Sequence, residues 1–95
     1  MQFEWDDHKA ALNLAKHGIG FELATAVWKD PFALLTYDRT VNGDERFRMV
    51  GVVGTMTLLL VIHSYPDPVD DTKIRLISAR RATKSERRTY ENRRS

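Results

Sequence analysis

The spacing of apolar residues along the chain changes period twice, and that divides it into elements. Phe3-Glu4-Trp5 alternates and reads as a short strand. Asp6 or Asp7 then caps a helix to about His17, with Gly18 as the residue after its end, where a left-handed conformation suits glycine. Ala11, Leu14 and Ala15 form its expected apolar stripe; Lys9, Asn13 and Lys16 share another face. A second helix spans about Phe21 to Trp28, with Phe21, Ala24 and either Val27 or Trp28 buried. Asp30-Pro31 ends it, because the residue before a proline avoids helical geometry.

From Phe32 the period falls from 3.6 to 2. Phe32 to Tyr37 is a strand, and Asn42-Gly43 marks a tight turn. Glu45 to Val53 alternates, with Arg46, Arg48, Val50 and Val52 on one face. Gly54-Thr55 reads as a two-residue hairpin loop. Met56 to Ile62 is continuously apolar, as a central strand covered on both faces requires. Pro66 to Asp71 is a loop, and Lys73 to Arg80 alternates again. Thr83-Lys84-Ser85-Glu86 is a capping box that opens a last helix, to about Arg93. From Arg81 onward only Ala82 and Tyr90 are apolar, so this helix has little with which to dock. The order β-α-α-β-β-β-β-α predicts an α+β fold over residues 1–95 as one domain. It has an antiparallel sheet, two N-terminal helices packed on it and a C-terminal helix.

Composition sharpens this picture at one end. Residues 1–72 carry 6 Lys/Arg and 11 Asp/Glu, a balance of −5; residues 73–95 carry 9 and 2, a balance of +7. The last 23 residues therefore suit a polyanion or an acidic partner. There is no cysteine, which excludes disulfides and thiolate chemistry and fits a reducing cytoplasm. No stretch is long and apolar enough to span a bilayer, and no secretory leader is evident. There is no P-loop or dinucleotide fingerprint, and His8, His17 and His63 lack metal-site spacing, so no metal or cofactor is expected.

The remaining chemistry is cationic. RNA cleavage through its 2′-hydroxyl needs a base, cations beside the phosphate and an acid for the leaving oxygen. A Gly54-Thr55 loop places Arg46 opposite His63, a plausible cleavage pair in which the cation keeps the imidazole neutral. The alternative for His63 is a core strand end bonded to backbone. Strict alternation puts Arg75 and Arg80 on opposite faces unless a bulge or the strand end reorients one. Tyr90 is either a proton donor or stacking group, or the one anchor of the last helix. Glu86 is a further proton-transfer candidate. Lys16, His17, Arg48 and Arg87 are candidates for substrate contact.

The chain resembles the BrnT family of toxins. Phe3-Glu4-Trp5-Asp6, Lys9, Asn13, Lys16-His17-Gly18, Phe21-Glu22 and Ala24 match the family's opening; Asp30-Pro31 and Glu45-Arg46-Phe47 match its middle. Ile74-Arg75, Ile77-Ser78-Ala79-Arg80, Ala82, Glu86 and Tyr90 match its close. Gly20 departs from the pattern, standing where members often carry a side-chain cap, and so does Leu23, where a second acid is common. The resemblance implies a RelE-like fold and an endoribonuclease toxin of a type II toxin–antitoxin pair that inhibits translation. The implied partner is a BrnA-like antitoxin with a ribbon-helix-helix DNA-binding domain. The pair would form a heterotetramer that meets operator DNA only through the antitoxin. The alternative is a non-catalytic module that grips RNA or a partner with its basic C-terminal segment.

Overall fold

The computed structural model describes residues 1–94. The elements run β1 (Gln2–Glu4), α1 (Asp7–His17), α2 (Phe21–Ala24), a 3-10 turn (Thr25–Lys29), β2 (Leu34–Val41), β3 (Asp44–Val53), β4 (Thr57–Ser64), β5 (Lys73–Arg81) and α3 (Lys84–Arg94). The α+β class and the element order are as the sequence predicts. The sheet is mixed, not antiparallel throughout. Its order is β1-β5-β4-β3-β2, and β1 lies parallel to β5. The alternation in Phe3-Glu4-Trp5 carries no information about direction.

Local signals account for the ends of the elements. The Asp6 carboxylate accepts from the Lys9 amide at 3.0 Å, and Gly18 closes α1 at φ 70°, its amide donating to Leu14 O. Asn42 and Gly43, at φ 51° and 78°, make the two-residue turn between the Val41–Asp44 pair. α2 lasts one turn and tightens into the 3-10 turn, so Val27, fully buried, completes the stripe begun by Phe21 and Ala24. The turn lies directly on β3: a Cβ at Gly51 would sit 2.8 Å from Val27 Cγ1. Only glycine allows that approach.

β4 is the central strand, and Leu58 to Val61 are all buried. Alternation divides them between two cores. Leu59 and Val61 join Ile74, Leu76 and Ala79 beneath Ile19, Phe21, Ala24 and Val27 of the helix layer. Leu58 and Leu60 join Val50 on the opposite face, where the buried Tyr90 of α3 covers them. α3 therefore docks on its own sheet through one aromatic side chain, with Ala82 beside it. The anchor reading of Tyr90 describes its placement.

The α1 stripe differs from expectation. Ala11, Leu14 and Ala15 are exposed, and Asn13 is buried. Its Nδ2 donates to Ala79 O at 2.8 Å and Ile19 O at 3.0 Å, and its Oδ1 accepts from Ala79 N at 3.0 Å. β1 pairs only with Lys73 to Arg75, so the backbone of β5 beyond that point needs another partner. Satisfying those groups outweighs burying two alanines and a leucine.

A candidate arginine face for RNA

The β3–β4 hairpin decides where the candidate residues meet. Val53 pairs with Thr57, so the loop has three residues, Gly54 to Met56. Opposite residues sum to 110 rather than 109, and Phe47, not Arg46, faces His63. A slip of one residue sends a side chain to the other face. His63 therefore sits under the helix layer, fully buried, with Trp28 at 4.9 Å edge-on and Tyr65 OH 3.2 Å from Nε2. Burial lowers its pKa to about 4, outweighing the Val61 carbonyl contact that raises it. It is a neutral core histidine on the face away from Arg46, and the expected cleavage pair does not form.

The opposite face collects the arginines. Arg48 lies opposite Ile62, on the α3 side, and Arg46 shares its parity. β5 is irregular where Ile62 pairs with Ser78 but His63 pairs with Leu76, leaving Ile77 as an extra residue. That bulge resets the alternation. Arg75, opposite Ser64, and Arg80, opposite Leu60, come out on the same face. Four guanidiniums thus share the sheet surface beside α3.

The capping box forms as the sequence predicts. Thr83 Oγ1 accepts from Glu86 N at 3.2 Å, and Glu86 Oε1 accepts from Thr83 N at 2.8 Å. The cap fixes the Glu86 carboxylate between two arginines. Arg80 grips it with both ends, Nη1 to Oε1 at 2.8 Å and Nη2 to Oε2 at 2.9 Å. Arg48 Nη2 adds a third bond at 3.0 Å, and its Nε lies 3.7 Å from Asp38. The Arg80 fork, joined by the Thr83 amide, pulls the Glu86 pKa down to about 2 against an opposing effect of burial, while that same contact raises Arg80. Glu86 in this state is a fixed anion and a poor proton acceptor at neutral pH, contrary to its expected role. A groove of about 360 Å³ opens here between Thr36, Arg48, Leu60, Glu86 and Thr89.

The other arginines are held more loosely. Arg75 pairs with Glu4 of β1 at 2.8 Å, both half exposed. Arg46 Nε is 3.8 Å from Asp44 and makes no hydrogen bond. The half-exposed Arg75–Glu4 pair contributes little and yields readily to a stronger anion, whereas Arg46 Nε is buried and unpaired.

Other candidates lie elsewhere. Lys16 and His17 end α1 beside Ile77 at the β5 edge, in the helix layer rather than with the arginines. Arg87 flanks a small hollow with Met56 and Arg81 by the β3–β4 turn. The Tyr90 hydroxyl donates to Asp30 Oδ2 at 2.6 Å and its ring is buried, so it presents no stacking surface. A larger concavity of about 570 Å³ is lined by Asp44, Glu45, Asp67 and Asp71, which repel a polyanion. Asp38 was not foreseeable as an Arg48 partner, since a bulge between Tyr37 and Arg39 turns it there. No helix among the described residues is long and apolar enough to cross a membrane.

Comparison with known proteins agrees with this architecture. No curated protein matches the chain. The crystal structure of the ribonuclease toxin BrnT from Brucella abortus superposes with a TM-score of 0.63 at 27% identity, over 88% of this chain and 99% of that one. The family model described as the ribonuclease toxin BrnT of type II toxin–antitoxin systems matches residues 5–86. By that match over most of its length, the chain belongs to the BrnT family of ribonuclease toxins.

Proposed function

We propose that the chain is a metal-independent endoribonuclease whose scissile phosphate binds between Arg48 and Arg80, with Arg46 and Arg75 extending the cationic face. The observation that carries this is the Glu86 carboxylate, held by both guanidiniums through three bonds of 2.8–3.0 Å. A carboxylate and a phosphate present the same planar pair of acceptor oxygens to an arginine fork. The guanidiniums supply the charge stabilisation that the phosphorane-like transition state needs. A phosphate that takes the forks also frees Glu86, whose pKa then rises toward its ordinary value near 4.5 and makes it a better base.

The toxin acts in the cytoplasm, where its RNA substrate is. A BrnA-like ribbon-helix-helix antitoxin neutralises it by setting carboxylates against the arginine face, in a heterotetramer that reaches operator DNA through the antitoxin. Electrostatic complementarity favours that surface for fast association.

The test is incubation of antitoxin-free protein with RNA in excess EDTA. Cleavage to 2′,3′-cyclic phosphate ends is expected; intact RNA at high protein excess overturns the metal-independent reading. Arg80→Ala should lower cleavage by roughly 10²–10³-fold and affinity far less. If cleavage and affinity fall together, the face binds without catalysing.

A further inference from the structure

Two buried side-chain atoms among the described residues have no hydrogen-bond partner: Arg46 Nε and Ser64 Oγ. Ser64 is fully buried. Both belong to one row across the sheet. Ser64 pairs directly with Arg75 on β5, and Arg46 is the next residue of β3 after the Phe47–His63 pair, hence opposite Ser64. Orphaned buried polar atoms are uncommon, and two in one row, beside the Arg75 guanidinium, are open to a common acceptor.

We infer that the Arg46–Ser64–Arg75 row is a second phosphodiester subsite, which takes the phosphate adjoining the scissile one on the same single strand. This rests on the ribonuclease reading above. The row presents two guanidiniums, which only donate, and a hydroxyl that can donate or accept; together they suit the acceptor oxygens of a phosphodiester. Its spacing also fits. Ser64 is two residues along β4 from Ile62, the level of Arg48, and four from Leu60, the level of Arg80, ~7–13 Å by strand rise; the nearer end of that range is comparable to the separation of successive phosphates on a nucleic-acid strand. Glu4 holds Arg75 through two bonds, 2.8 and 2.9 Å, to one oxygen of a half-exposed carboxylate, and Asp44 lies 3.8 Å from the buried Arg46 Nε without a hydrogen bond; a phosphate competes with both. The subsite touches backbone rather than bases, so it sets register and length preference without reading sequence.

The test compares non-cleavable 2′-O-methyl oligoribonucleotides carrying one and two phosphodiesters, bound to the whole protein and followed by fluorescence anisotropy. Wild type should bind the two-phosphate ligand about tenfold more tightly. Ser64→Ala and Arg75→Gln should each abolish most of that ratio. Arg75→Gln should also reduce the salt dependence of the two-phosphate ligand by ~0.7 in log–log slope. Arg80→Gln should change the affinity of both ligands little and equally, and so keep the ratio. If the ratio survives Ser64→Ala and Arg75→Gln while wild type still cleaves RNA in EDTA, the second subsite is wrong and the ribonuclease reading stands. If wild type binds neither ligand above background, the arginine face does not bind RNA and both readings fail. Arg75 is half exposed, so Arg75→Gln provides the measurement even if Ser64→Ala does not fold.

Discussion

Tyr90 and Asp30, sixty residues apart, meet in a hydrogen bond of 2.6 Å between the phenol and carboxylate Oδ2. The same oxygen accepts from the Val52 amide at 2.8 Å, and Oδ1 accepts from the Phe32 amide at 2.9 Å. One carboxylate thus joins the end of the 3-10 turn, strand β3 and helix α3. Tyr90→Phe keeps the ring but removes a charge-assisted bond, and should lower stability in urea by about 1–3 kcal/mol. RNA cleavage per folded molecule should be retained. Loss of cleavage in a variant of unaltered stability would make Tyr90 a proton donor instead.

Glu86 gives the fold an acid limit. Its folded pKa of about 2 lies below its ordinary value of 4.5, so its contribution is present above pH 4.5 and is lost as pH falls through 2. Glu86→Gln should lower stability at pH 7 by roughly 1–2 kcal/mol, through the weakened cap and lost ion pair. It should also flatten the stability profile between pH 4.5 and 2, measured by thermal melting across that range.

His63 sets a second, higher window. Its folded pKa of about 4 lies below 6.5, so the unfolded chain takes up the proton first. Stability therefore falls as pH drops from 6.5 to 4, by at most roughly 3 kcal/mol. A non-titrating His63→Gln variant should be less stable at neutral pH, from lost ring packing, yet lose the His63 slope between pH 6.5 and 4.5, above the range where Glu86 titrates. Its cleavage at pH 7, corrected for folded fraction, should match wild type. A specific loss of turnover would restore His63 as a base.

Asn13→Ala removes three hydrogen bonds and leaves the Ala79 amide and carbonyl without their partner. Denaturant unfolding should show a loss of about 2–4 kcal/mol. Asn13→Asp retains only the acceptor half and should be impaired nearly as much.

The element order was legible because each boundary carries its own local chemistry: Asp6 and Gly18 around α1, Asn42-Gly43 between strands, Thr83 with Glu86 at α3. What was not legible depends on counting across the sheet. Two loop residues or three at Gly54 decides whether Arg46 or Phe47 faces His63, and both lengths are common. The extra residue at Ile77 decides whether Arg75 and Arg80 share a face, which alternation alone denies. Arg75 and Arg80 stood out in the basic last 23 residues, and Arg46 only through its expected pairing with His63. The convergence of Arg48 and Arg80 on Glu86 did not, because a capping box looks the same with or without cations beside it. Asn13 was hidden for a different reason: an apolar stripe is a reliable guide to a buried helix face only when no backbone group competes for it.

To β5, the Asn13 amide is a strand one residue long. It answers both polar groups of Ala79 and offers nothing further outward, so it pairs the strand without extending the sheet. Where β5 runs on past the short β1, pairing with another strand at Ala79 is thereby blocked by a single side chain. The opposite border, β2, has no such stop, and Leu35 and Tyr37 lie exposed along it. If the protein forms fibrils on partial unfolding, their growth should start there.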